Sequence, residues 1–270
     1  MARRGPRGSE FFEVSTGSVE IRWDGPRATL FLDGIESSCI DVDHPESLEF
    51  EYMQQMTVAL DAHLAPGTPV RALHLGAAAC ALPWAWETLR PGSRQVAVEI
   101  DSSLAALVRE VFDLPRSPAL RIRVGEGRGA LESTRPGSWD VVVRDAFDHG
   151  VVPGPLATVG AARAASRALV PGGLLLLNTA HGGGSDARRE AAALMEVFPL
   201  VLAVTDPKVG RAARRGNVVM VAQTAGGRVL GAADVDRGLR RLPFPARIIG
   251  GADLVRWVAG TPATTDPAPA

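Results

Sequence analysis

Acidic residues in this chain close apolar runs. In Trp139-Asp-Val-Val-Val-Arg-Asp-Ala-Phe-Asp148, two carboxylates three residues apart, Asp145 and Asp148, follow Val141–Val143. A carboxylate at the end of so apolar a segment needs a partner or a purpose, and two of them make a negative pocket suited to a cation. Capping of the next helix is the ordinary alternative for Asp148. Glu99-Ile-Asp101 ends the run Val96-Ala-Val98, Gly125-Glu126-Gly127-Arg128 follows residues 120–124, and Gly76 follows Val70-Arg-Ala-Leu-His-Leu75. Glu99 lies about 20 residues beyond the Gly76 turn, where a carboxylate can accept hydrogen bonds from both hydroxyls of a ribose; a solvated strand-end acid is the plainer alternative. Glu126 is placed either to meet a nucleobase amino group or to cap the following helix.

Other chemistries find little support. Lys208 is the only lysine, so a Schiff base would have to use it, and no GK[ST] phosphate loop occurs. Cys39 and Cys80 form no CxxC pair, and the five histidines lack metal-ligand spacing; His74, inside an apolar run, reads as a satisfied core histidine. There is no GxSxG elbow. Gly182–Gly184 reads as a mobile loop. A net charge of −1 gives no footprint for nucleic acid or an anionic membrane. The basic start MARRGPRGSE is followed by no apolar segment, and the longest apolar run, around Leu174–Leu177, is too short to span a bilayer. A soluble cytoplasmic protein is expected.

The elements that must position these acids follow from patterning. Residues 1–10 and 261–270 are expected as disordered tails, rich in Arg, Gly, Pro and Thr. Residues 11–65 read as an N-terminal β-hairpin unit with strands at 18–23, 28–32 and 37–42, Asp33-Gly34 as a hairpin turn, and a linking helix running from the His44–Ser47 start signal to about His63. Residues 66–260 read as one methyltransferase-like α/β domain. Its strands are expected at 70–75, 95–100, 120–124, 139–145, 173–179, 199–205 and 217–223, with helices at 102–112, 157–169 and 186–197 and a closing helix or two in 231–260. Continuous apolar strands suit a parallel sheet covered on both faces, and the last two read as an antiparallel hairpin. The class is α/β: a Rossmann-like, class I methyltransferase-like, mostly parallel seven-stranded sheet behind a small antiparallel β unit.

The order of motifs resembles the polyamine aminopropyltransferases, the spermidine synthase family. The segments carrying the resemblance are LDG (Leu32–Gly34), FEY (Phe50–Tyr52), LHLGAAAC, VEID (Val98–Asp101), VGEGR (Val124–Arg128), WDVVVRDAFD (Trp139–Asp148), LVPGG (Leu169–Gly173) and LLLLNT, within residues 12–224. The resemblance implies that Gly76, Glu99, Asp101, Glu126 and Gly127 bind an adenosyl cosubstrate, with Glu99 on the ribose and Glu126 on adenine. It further implies that Asp145 takes a proton from an attacking amine, and that Asp148 and Tyr52 hold the cationic substrate. The cosubstrate would be decarboxylated S-adenosylmethionine, the acceptor a diamine such as putrescine, with no metal and a homodimer as the assembly. The chain departs from the family where GGGDGG is usual: Gly76–Ala81 reads GAAACA, without an acid. His-Glu after the helix tyrosine becomes Met53-Gln54, and Tyr52 is the only tyrosine. Two other readings therefore stand beside aminopropyl transfer: methyl transfer from ordinary S-adenosylmethionine, and a non-catalytic adenosyl- or polyamine-binding homologue.

Overall fold

A computed structural model describes residues 8–206, 208–209 and 215–267. The expected tails at 1–7 and 268–270 lie outside the described residues. An N-terminal sheet of order β1-β2-β3-β4 is formed by Gly8–Val14, Gly17–Asp24, Arg27–Leu32 and Ile35–Asp41, all antiparallel. One strand more than expected is present, and Gly8–Glu10, assigned to a tail, belong to it. The β3–β4 turn has positive φ at both Asp33 (47°) and Gly34 (77°), the requirement of a type I′ hairpin. Helix α1 (Glu51–His63) begins later than the sequence suggests. The Asp41 carboxylate accepts from the amides of Asp43 and His44, which spends residues 43–47 on a turn.

The second sheet contains β5 (Arg71–Leu75), β6 (Arg94–Glu99), β7 (Leu120–Val124), β8 (Trp139–Arg144), β9 (Leu169–His181), β10 (Leu200–Thr205), β11 (Gly216–Gln223) and β12 (Arg247–Gly250). Their order is β12-β10-β11-β9-β8-β5-β6-β7. The five strands β5 to β9 are parallel, and β11 returns antiparallel beside β9, forming the expected hairpin with β10. The sheet has eight strands rather than seven, because β12 pairs antiparallel with β10. It is only four residues long and half-buried throughout, so it lacks the apolar run that marks the others.

Helices α2 (Ala81–Leu89), α3 (Ser102–Val111), α4 (Gly127–Glu132), α5 (Val159–Ala168), α6 (Ala187–Met195), α7 (Ala232–Leu239) and α8 (Gly251–Val258) cover both faces. On one face, Leu174, Leu176, Val219 and Val221 pack with Met56 and Leu60 of α1 and with Ile21 and Leu30 of the N-terminal sheet, so a single core joins the two sheets. The other face packs Val142, Leu175, Leu177 and Met220 against the alanine-rich sides of α5 and α6. Within the first core, His74 is buried, bonds Gln95 at 3.0 Å, and is driven down to a pKa of about 4 by burial. Gly182–Ser185 close a short turn through reciprocal backbone bonds. Residues 264–266, assigned to a tail, are tied down: Thr264 accepts from the Val159 amide and Asp266 from Arg128 and Thr158. Among the described residues no helix is long and apolar enough to cross a membrane.

Candidate active site

The strand order reverses between β5 and β8, the switch point where doubly wound sheets bind ligands. Gly76 and Asp145 meet there. Gly76 has φ 93°, and a Cβ on it would lie 2.3 Å from the Asp145 carbonyl oxygen, so only glycine lets the loop pass so close. The loop then turns through Ala78 (φ 40°) and Cys80 (φ 60°), both in the left-handed region that L residues enter at a cost. Ala79, where the resemblance calls for an aspartate, is buried in the core.

Asp145, Tyr52 and Asn178 form the centre. The Tyr52 hydroxyl donates to Asp145 Oδ2 at 2.7 Å and the Asn178 amide to Oδ1 at 2.9 Å. Burial pushes the Asp145 carboxyl above its ordinary value, while the bonds from Asn178 and Tyr52 and the nearby Arg144 charge pull the other way. Burial and the Asp145 charge hold the Tyr52 phenol well above 10. Asn178 Oδ1 is buried with no partner among the described residues, leaving one acceptor beside the carboxylate. The sequence carries a signal for Asn178: a polar residue inside LLLLNTA, on the same strand face as Leu174 and Leu176. Arg144 points to the opposite face, where it pairs with the buried Glu190 and donates to Thr179.

Glu99 ends β6 directly below the loop. Its Oε2 accepts weakly from the amides of Ala77 (3.3 Å) and Ala78 (3.2 Å), and its Oε1 from Asp101 (3.0 Å). Beside it Ile100 is 64% exposed and Val124 52% exposed, two apolar side chains at the sheet's edge. Glu126 takes the role that sequence left open, capping α4 through the amides of Arg128 (2.7 Å) and Gly129 (2.6 Å). Gly127 faces Leu156 and Leu75, where a Cβ would crowd the leucine at 3.3 Å.

The side chains of two expected site residues turn elsewhere. Asp101 is buried and fully engaged: it caps α3 through Ser103 and Leu104, and holds the amide and hydroxyl of Thr16 from the β1–β2 turn at 2.6 and 2.8 Å. Four donors fill its acceptor positions, so its carboxylate clamps the two sheets together. Asp148 does not converge with Asp145. Its side chain is 79% exposed in a loop closed by backbone bonds to Val151, with His149 3.7 Å away.

No protein-family model and no curated protein matches the sequence. Among solved structures, a probable spermidine synthase from Corynebacterium glutamicum superposes with a TM-score of 0.88 at 30% identity, covering 98% of both chains. The chain belongs to the spermidine synthase family. It is a divergent member. A spermidine synthase in complex with the transition-state analogue AdoDATO matches with a TM-score of 0.62 at 15% identity, over 87% of this chain and 78% of that one. Human methyltransferase-like protein 13 in complex with SAH matches with a TM-score of 0.57 at 19% identity, over 81% and 96%. At those identities the likeness is one of fold, and it fixes the methyltransferase-like class. The residues of this family member suit an adenosyl group: exposed apolar edges at Ile100 and Val124 flank two carboxylates, Glu99 and Glu126, suited to hydroxyl and amino donors.

Proposed function

We propose that this family member is an aminopropyltransferase that moves the aminopropyl group of decarboxylated S-adenosylmethionine to a diamine such as putrescine. The observation that carries the reading is the buried Tyr52–Asp145–Asn178 cluster. Glu99 holds the ribose, the Glu126–Gly127 turn meets adenine, and Ile100 lies against the base. The sulfonium supplies an electrophilic carbon whose bond to sulfur breaks with its electron pair, leaving a neutral thioether. That leaving group needs no acid, so the chain's task is to orient the amine and take its proton. An alkylammonium titrates near 10, so about one molecule in a thousand is the free amine at pH 7. Asp145, made more basic by burial, accepts the proton as nitrogen bonds to carbon. Tyr52 and Asn178 hold its two oxygens in place, and the spare Asn178 Oδ1 accepts a hydrogen bond from the incoming amine.

Ala79 favours a second reading, methyl transfer from ordinary S-adenosylmethionine, because a loop without an acid does not select for an amine over an amino acid head. Mass spectrometry of products made with both cosubstrate forms and a panel of diamines separates the two. Asp145→Asn abolishes transfer while calorimetric affinity for the cosubstrate is retained, and unchanged turnover would refute its role. Glu99→Ala weakens methylthioadenosine binding about tenfold or more, as expected for lost hydrogen bonds to a carboxylate; equal affinity in the variant removes the ribose assignment.

A further inference from the structure

The strand ends that carry Asp145 and Asn178 are joined a second time, from behind. Side chains alternate along a strand, so Arg144 and Thr179, their neighbours in sequence, point to the opposite face of the sheet. There Arg144 lies among Val142, Leu175 and Leu177. In front, the Asn178 amide donates to Asp145 at 2.9 Å; behind, the Arg144 guanidinium donates to the Thr179 hydroxyl at 3.0 Å and to Glu190 of α6. The paired register of β8 and β9 ends at Arg144 and Leu177, and these two side-chain bonds carry the connection further. On its other side Asp145 is tied to β5, its amide donating to the Leu75 carbonyl at 2.9 Å.

We propose that Arg144, Thr179 and Glu190 form a rear brace that positions the Asp145 carboxylate against Tyr52 and Asn178. Arg144 joins three elements: β8 through its own backbone, β9 through Thr179 and α6 through Glu190. The end of β8 therefore cannot tilt without breaking a bond behind the sheet. Burial alone would favour an apolar residue here. Arg144 is 1% exposed and Glu190 7%, and Arg144 Nε and Nη1 have no partner among the described residues. A buried ion pair seldom stabilises a fold more than apolar residues of similar volume, so what this one adds is a fixed geometry at the end of β8. Its consequence for turnover rests on the reading of Asp145 as proton acceptor; the brace itself does not. A misplacement of about 1 Å can cost about a hundredfold in rate, so a loosened carboxylate shows in kcat and not in the KM of the donor.

Tyr52 is the only tyrosine, so isotope-labelled tyrosine gives a single NMR resonance that reports the Tyr52–Asp145 bond in the whole chain, with or without turnover. Thr179→Val, close in shape, removes the hydroxyl that accepts from Arg144, and Thr179→Ser keeps it. In Thr179→Val the tyrosine resonance is expected to shift and kcat for aminopropyl transfer to fall about tenfold, with the KM of decarboxylated S-adenosylmethionine within about twofold of wild type. Thr179→Ser is expected to restore both. Arg144→Met with Glu190→Met is expected to show the same shift and the same loss of kcat while melting close to wild type, a combination that a purely structural role would not produce. An unshifted resonance in both Thr179→Val and the double variant overturns the brace, and a shift without a fall in kcat overturns its part in catalysis. A shifted resonance in a chain whose wild type yields no transfer product leaves the brace standing and overturns the transferase reading. Transfer product with no shift in either variant does the reverse.

Discussion

Asp101→Asn separates a structural acid from a ligand-binding one. In the native protein, burial opposes ionisation of Asp101, but the bonds from Leu104, the hydroxyl and amide of Thr16, and Ser103 outweigh it and bring its pKa to about 2. From an ordinary 3.8 that is nearly two units at ~1.36 kcal/mol each, or about 2 kcal/mol favouring the folded state above pH 4. Asn keeps an acceptor oxygen for the helix cap, so the loss falls on the charge and on the oxygen that holds the Thr16 amide and hydroxyl. The folded pKa is depressed, so this stability is present above the unfolded value and is lost as pH falls through about 2. Thermal melts of wild type and Asp101→Asn at pH 7 are expected to differ by about 5 °C, and the gap to narrow between pH 5 and pH 3. Methylthioadenosine affinity, measured well below the melting temperature, is expected to be unchanged. A variant that melts like wild type but binds the adenosyl group tenfold more weakly would refute the clamp and return Asp101 to the cosubstrate site.

Two further substitutions probe how the centre is held. Gly76→Ala puts a Cβ against the Asp145 carbonyl at a φ that alanine resists, and is expected to cost more than ~1 kcal/mol and lower both melting temperature and adenosyl affinity; a neutral result would show that the loop can retreat from β8. Arg144→Met strands the buried Glu190 and is expected to cost about 3–5 kcal/mol, whereas Arg144→Met with Glu190→Met recovers most of it; chemical denaturation of both variants checks this, and equal losses would mean that the pair is not coupled.

Much of the fold was legible because a parallel sheet covered on both faces writes itself as unbroken apolar runs, such as Val141–Val143 and Leu174–Leu177. Edge strands do not. The strand at Gly8–Val14 alternates exposed and half-buried residues, and Arg247–Gly250 is short and half-buried, so neither carries that signature. In the site, Glu99 and Asp145 stand where strand-end logic puts them. What local sequence could not reveal were the long-range partners: Thr16, 85 residues from Asp101, and Tyr52, 93 residues from Asp145. Those contacts depend on how the N-terminal sheet docks, and a capping acid and a catalytic one look alike until it has docked.

The missing loop aspartate takes a different meaning in this light. Ala79 is buried and packed, so the loop has not kept an empty place for a charge; it has become part of the core. Two of its turns nevertheless keep the left-handed backbone that glycines usually supply, at Ala78 and Cys80. Such strain persists only when the surroundings impose it, and here those surroundings include Glu99 Oε2, which accepts from the Ala77 and Ala78 amides. The loop thus spends its polar contacts on Glu99, while Asn178 Oδ1, an acceptor left without a partner among the described residues, lies on the far side of Asp145.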